Sequence, residues 1–254
     1  MIKIYLLHYH FSMKIALCMH GHFRTFASCF DHLAENILAP YSPDIFAMAW
    51  GDSMGDHLHP PNTQNPTTHP GYLLESPPVS GDYLAWAMSS LRAIDLHLDH
   101  YYLHDARFQG MLDRFMPWNH PWEHHRPKGT ISLNWTRYAV HRMRQEHQRR
   151  TGTTYDLVIS TRWDLMHGSR PDLCAMDHGG LNLPNMYGHD VPGDIWAAGP
   201  AWAMDTWADQ INGMEELAQA GTLNLGPHEW MRAWLQHREI PWKARDDLNM
   251  WLVR

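Results

Sequence analysis

Tyr155-Asp156-Leu157-Val158-Ile159-Ser160-Thr161-Arg162-Trp163-Asp164-Leu165 is the strongest strand pattern in the sequence. Gly152 stands ahead of it, its centre is β-branched and apolar, and charge returns only at Arg162 and Asp164. A run of this kind is a strand buried on both faces, an interior strand of a parallel sheet covered by helices. The strand is predicted over 155–161 and is central. It delivers its next residues to the carboxyl edge of the sheet, where open α/β folds bind ligands. Arg162 and Asp164 are therefore the first candidate site residues. An arginine neutralises phosphate oxygens, and a carboxylate holds a divalent cation that bridges a diphosphate. The bland reading of the same spacing is a salt bridge at a strand end. Asp156 opens the same strand and lies about 26 Å from Asp164 at about 3.3 Å per residue, too far to join it. Asp164, at a sheet edge, is expected to add little to core packing.

Upstream, 14–19 (KIALCM) is a second buried run, ended by Gly21, and 44–50 (DIFAMAW) is a third. Between them Phe26, Phe30, Leu33 and Ile37 recur at helical spacing until Pro40. Strand, helix, strand in this order predicts a βαβ unit with a parallel pair. In 51–82 Pro60, Pro61, Pro66, Pro70, Pro77 and Pro78 exclude a regular element, which makes the segment an irregular insertion or a lid over the cleft. Helices are predicted over 83–102, through Leu84, Met88, Leu91, Ile94 and Leu98, and over 131–149. Short strands follow near 181–183 and 194–198, then a helix capped by Asp205 and running to Leu217. Gly226-Pro227 opens a last helix whose apolar face is Trp230, Met231, Trp234 and Leu235.

At 254 residues, 44% hydrophobic and 19% charged, the chain reads as one domain over 1–254 with a sizeable core. A formal charge of -7 argues against a nucleic-acid partner, since phosphate backbones demand an excess of clustered Lys and Arg. The dense basic run Arg142, Arg144, Arg149 and Arg150 reads as a solvated helix face. Cys18, Cys29 and Cys174 have no metal-ligand or disulfide spacing, which fits a reducing compartment such as the cytoplasm. His8 and His10 interrupt the apolar start, so it does not read as a secretory signal, and Met13-Lys14 opens a second beginning; 1–13 is read as an extension. No run approaches the roughly 20 apolar residues of a bilayer span, so the expectation is a soluble protein or one peripheral to a membrane.

The 21 histidines include the pairs His57/His59 and His120/His124 but no H-E-x-x-H, and they read as a compositional habit. Trp50, Trp118, Trp122 and Trp163 are the indoles that could stack on a sugar or base, with core packing as their other fate. His20-Gly21 stands where a phospho-histidine phosphatase would carry its nucleophile, but Met19 occupies the place of the arginine such an enzyme needs. The absence of a Gly-rich phosphate loop disfavours P-loop kinases and dinucleotide dehydrogenases.

Gly21-His22-Phe23-Arg24-Thr25-Phe26, the strand Asp44-Ile45-Phe46-Ala47-Met48-Ala49-Trp50, the Arg162-x-Asp164 strand, the segment 194–204 and Pro227-His228-Glu229 follow one another in order. In this they resemble a family of bacterial and viral GT-A-like glycosyltransferases that build surface polysaccharides. The resemblance implies a GT-A-like α/β domain, its mainly parallel twisted sheet carrying helices on both faces. It also implies transfer of a sugar from a nucleotide-sugar donor to a glycan or lipid-linked acceptor. Asp164 would stand for the D-x-D aspartate that holds Mn²⁺ or Mg²⁺, with Arg162 in place of the first aspartate. Arg24, Arg162 and Asp164 would bind the donor. Asp194 and Glu229 are the candidate catalytic carboxylates, one of them the general base of an inverting reaction. Their bland readings are a turn for Asp194 and, for Glu229, completion of a first helical turn. Arg24, Asp164 and Asp194 are expected to converge at one sheet edge. A non-catalytic carbohydrate-binding protein is the alternative that the tryptophan content favours.

Overall fold

A computed structural model describes residues 13–23, 25–51, 81–115, 127–185 and 192–253. Arg24, most of the Pro-rich segment, Trp118, Trp122 and the two histidine pairs lie outside the described residues. β1 (Ile15–His20) is buried throughout. α1 (Phe26–Leu33) continues through a π-helical turn, Ala34–Leu38, and ends at Tyr41, one residue past Pro40. β2 (Asp44–Trp50) returns parallel to β1, with Cys18 beside Phe46. The predicted βαβ unit is present.

The spacing that predicts one helix over 83–102 is instead divided. α2 (Gly81–Leu91) stops at Arg92, whose φ of 50° is left-handed; β3 (Asp95–Asp99) follows, then α3 (Tyr101–Phe115). Leu91, Ile94 and Leu98 fit a helical stripe, but Leu96 and Leu98 also alternate, and pairing with β2 favours the extended form. α4 (Pro127–Thr151) then leads into β4 (Leu157–Arg162), parallel to β1 on the side away from β2.

The remaining elements are β5 (Leu165–His167), β6 (Leu181–Pro184), β7 (Trp196–Gly199), α5 (Ala201–Ala208), α6 (Met214–Gln219), α7 (Pro227–His237), β8 (Trp242–Arg245) and β9 (Met250–Leu252). Asp205 does not cap a helix reaching Leu217. It lies inside α5, its carboxylate paired with Arg144 of α4, and a 3-10 turn at Asp209–Ile211 separates α5 from α6. The seven-stranded sheet has the order β3-β2-β1-β4-β7-β6-β8, and every neighbouring pair is parallel except those made by β7. β5 and β9 form a separate antiparallel pair.

Helices cover both faces. Ala16, Cys18, Phe46, Met48, Trp50 and Val158 face α3, α4, α5 and α7, whereas Ile15, Leu17, Met19, Ile45, Leu157 and Ile159 face α1 and α2. The period of two assigns His20, Ser160 and Arg162 to the α4 face. Among the described residues no helix is long and apolar enough to cross a membrane.

Candidate functional site

From β1 the chain steps outward to β2 and β3, while β4 lies on β1's other side; the order reverses between β1 and β4. The crevice outside the carboxyl ends at such a reversal is where open α/β sheets bind ligands. His20 and Arg162 are paired across it, and the Trp163 N–H donates to the His20 carbonyl at 3.3 Å. Gly21 turns the chain away from β1 with φ of 101°, a conformation that favours glycine.

Trp163 faces the α1 side as an anchor. Its indole N–H donates to the Met48 carbonyl at 2.8 Å, and its ring meets Phe23 and Phe26 edge-on. Trp50 is equally enclosed and donates to Ser132 Oγ at 3.0 Å. Both indoles are core, not sugar platforms. Arg162 grips Asp164 with two parallel bonds, Nε to Oδ1 at 2.7 Å and Nη2 to Oδ2 at 2.6 Å. The Asp164 side chain is 1% exposed and that of Arg162 19%, so of the pair it is the Arg162 side chain that reaches solvent. Burial works against the Arg162 charge, but Asp164 and Asp194 outweigh it and raise its pKa.

Above β1 and β2, α4 turns a polar stripe inward. Thr130, Asn134, Arg137, His141 and Arg144 recur every three or four residues and are all buried. Arg144 thus departs from the solvated face expected of the basic run, whereas Arg142, Arg149 and Arg150 are exposed. His20 and His141 are fully enclosed, with no hydrogen-bond partner for either ring nitrogen among the described residues. Burial, reinforced by neighbouring arginines, holds both well below the usual histidine range. Burial also lowers Arg137 to about 10, against the opposing pull of Asp194 and with Arg162 lowering it further.

Asp194 is buried in the short connection before β7, and its charge bears on both Arg137 and Arg162. Asp164 and Asp194 thus flank one guanidinium; the third member of the expected convergence, Arg24, lies outside the described residues. Asp194 Oδ1 lies 3.5 Å from His228 Nδ1, in the first turn of α7. Glu229, the next residue, is exposed and folds back over Gly226 at the helix N-cap, which matches its bland reading. His228 is the site residue that sequence reasoning passed over. It sits inside the Pro227-His228-Glu229 segment, where the neighbouring carboxylate of Glu229 is the more obvious acid–base candidate.

The donor set does not fit a divalent cation. Both oxygens of Asp164 accept from Arg162, and among the described residues no three His, Cys, Asp or Glu side chains are grouped to hold a metal. The arrangement offers a fixed guanidinium whose charge is matched by Asp164 and Asp194, with His228 beside Asp194. Compared with known protein families the chain matches none, and no curated protein matches it either.

Proposed function

We propose that the chain is a GT-A-like glycosyltransferase that moves a sugar from a nucleotide donor to a glycan or lipid-linked acceptor without a divalent cation. The observation that carries this reading is the partly exposed Arg162 side chain at the β1/β4 reversal, with Asp194 acting on both it and Arg137 and His228 beside Asp194. The single reversed strand in an otherwise parallel sheet supports the architecture. Arg162, pre-aimed by Asp164, neutralises the leaving nucleoside diphosphate, the task a metal performs elsewhere. His228, with Asp194 at its Nδ1, receives the acceptor hydroxyl's proton as the new bond to the sugar's anomeric carbon forms. The old carbon–oxygen bond breaks, and the diphosphate leaves with its electrons.

A phospho-histidine mechanism is disfavoured because His20 is 0% exposed and no phosphate monoester could reach its ring. The test is sugar transfer from UDP-, GDP-, dTDP- and CMP-sugars to glycan and lipid-linked acceptors, followed by mass spectrometry in EDTA. One donor should be consumed only when acceptor is present, and His228→Gln should lose about 10²-fold or more. Glycan binding with no turnover of any donor would leave a carbohydrate-binding protein instead.

A further inference from the structure

We propose that Arg137 is a positioning residue: it clamps the backbone at Asp194 and so holds Asp194 against His228. The inference rests on the transferase reading for its kinetic consequence, but its geometry stands apart. Arg137 Nη2 donates to the Asp194 carbonyl at 2.7 Å, and Nη1 donates to Asn134 Oδ1 at 2.7 Å. The Asn134 amide is itself fixed, since its Nδ2 donates to the Thr130 carbonyl at 3.1 Å. From the other side, the guanidinium lies over the Trp207 ring of α5, 4.1 Å from its centroid.

A cation buried to 1% exposure against the Trp207 ring is costly, and an apolar side chain would fill the same space. What the charge adds is a donor that crosses to another element. The connection carrying Asp194 belongs to no helix or strand, and its backbone is tied at two points in succession. The Gly193 N–H donates to the Pro184 carbonyl at 2.8 Å, and the Asp194 carbonyl accepts from Arg137. These ties fix the Asp194 backbone, from which its side-chain Oδ1 lies 3.5 Å from His228 Nδ1. Without Arg137 a buried carbonyl loses its partner and the connection must shift to find another. A displacement of about 1 Å at a reacting group costs about 10²-fold in rate.

The experiment uses Arg137→Met, Arg137→Lys and Asn134→Ala, with Asp194→Asn as reference and Arg144→Lys as control. Arg144 lies on the same buried stripe but reaches Gln148 and Asp205, not Asp194. Two quantities are read on folded protein: the ¹⁵N shifts of the His228 ring, assigned with His228→Gln, and the kcat and KM for the donor. Arg137→Met should reproduce the ring-nitrogen change seen in Asp194→Asn and lower kcat about 10²-fold with donor KM unchanged. Asn134→Ala, which leaves the guanidinium in place but loosens it, should fall between, and Arg144→Lys should leave both quantities as in the wild type. If Arg137→Met does not fold, Arg137→Lys and Asn134→Ala carry the same two readings. Unchanged His228 shifts in the Arg137 and Asn134 variants would overturn the proposal, as would an equal change in Arg144→Lys. A wild type that transfers no sugar would overturn the transferase reading, while the ring shifts would still decide the clamp.

Discussion

Asp164 and the enclosed histidines carry the plainest consequences at the scale of single residues. Expected to contribute little packing, Asp164 is instead a buried, doubly bonded partner of Arg162, so Asp164→Ala should cost about 3 kcal/mol in urea unfolding by leaving that cation unpaired. The rings of His20 and His141 are held neutral well below the usual range, and burial takes His167 down to about 4. Below about pH 6.5 the unfolded chain protonates these rings before the folded protein does, so stability falls as pH falls, for His167 by about 1.4 kcal/mol per pH unit until about pH 4 and for His20 and His141 in the same direction. Urea midpoints at successive pH values measure the slope, and His141→Leu should remove one ring's share. The placement of Arg162 and Asp164 was legible because a buried strand must hand its next residues to the sheet edge. Arg137 was not, because its partner Asp194 is 57 residues away and no local pattern links them.

Among the elements, α7 and α4 show why one helix was legible and the other only half so. The inward face of α7 is Trp230, Met231, Trp234 and Leu235, and its amphipathic period states which side is buried. On α4 much of the inward stripe is polar, so the same period does not say which way it turns, and Arg144 read as solvated. β3 was hidden for a related reason: as an edge strand it is polar at alternate positions, and its Leu98 also continues the helical spacing of Leu91 and Ile94. α7 also sets the height of His228, and its seat depends on Gly213, where an added Cβ would run into the Trp234 ring. Trp234 cannot yield easily, because its indole donates to the Thr206 carbonyl at 2.6 Å. Gly213→Ala should therefore cost about 1–3 kcal/mol through overpacking, read as a lower urea midpoint with m unchanged.

For the whole molecule, the sheet order turns distant segments into one site. β1 and β4 bring the Gly21 turn beside Arg162 and Asp164, while α4 links that edge to the connection before β7, where Asp194 faces His228. On the proposed transferase reading Arg162 stands in for a metal ion, and donor binding is then independent of metal. Calorimetric titration of the wild type with UDP, GDP, dTDP and CMP in EDTA, repeated on Arg162→Lys, tests this most directly. Arg162→Lys keeps the charge opposite Asp164 but loses the fork. One nucleotide should bind in EDTA, and Arg162→Lys should weaken it by about 1.5–3 kcal/mol, about ten- to a hundredfold. Binding that appears only when Mn²⁺ or Mg²⁺ is supplied, or that is indifferent to Arg162→Lys, would contradict that reading.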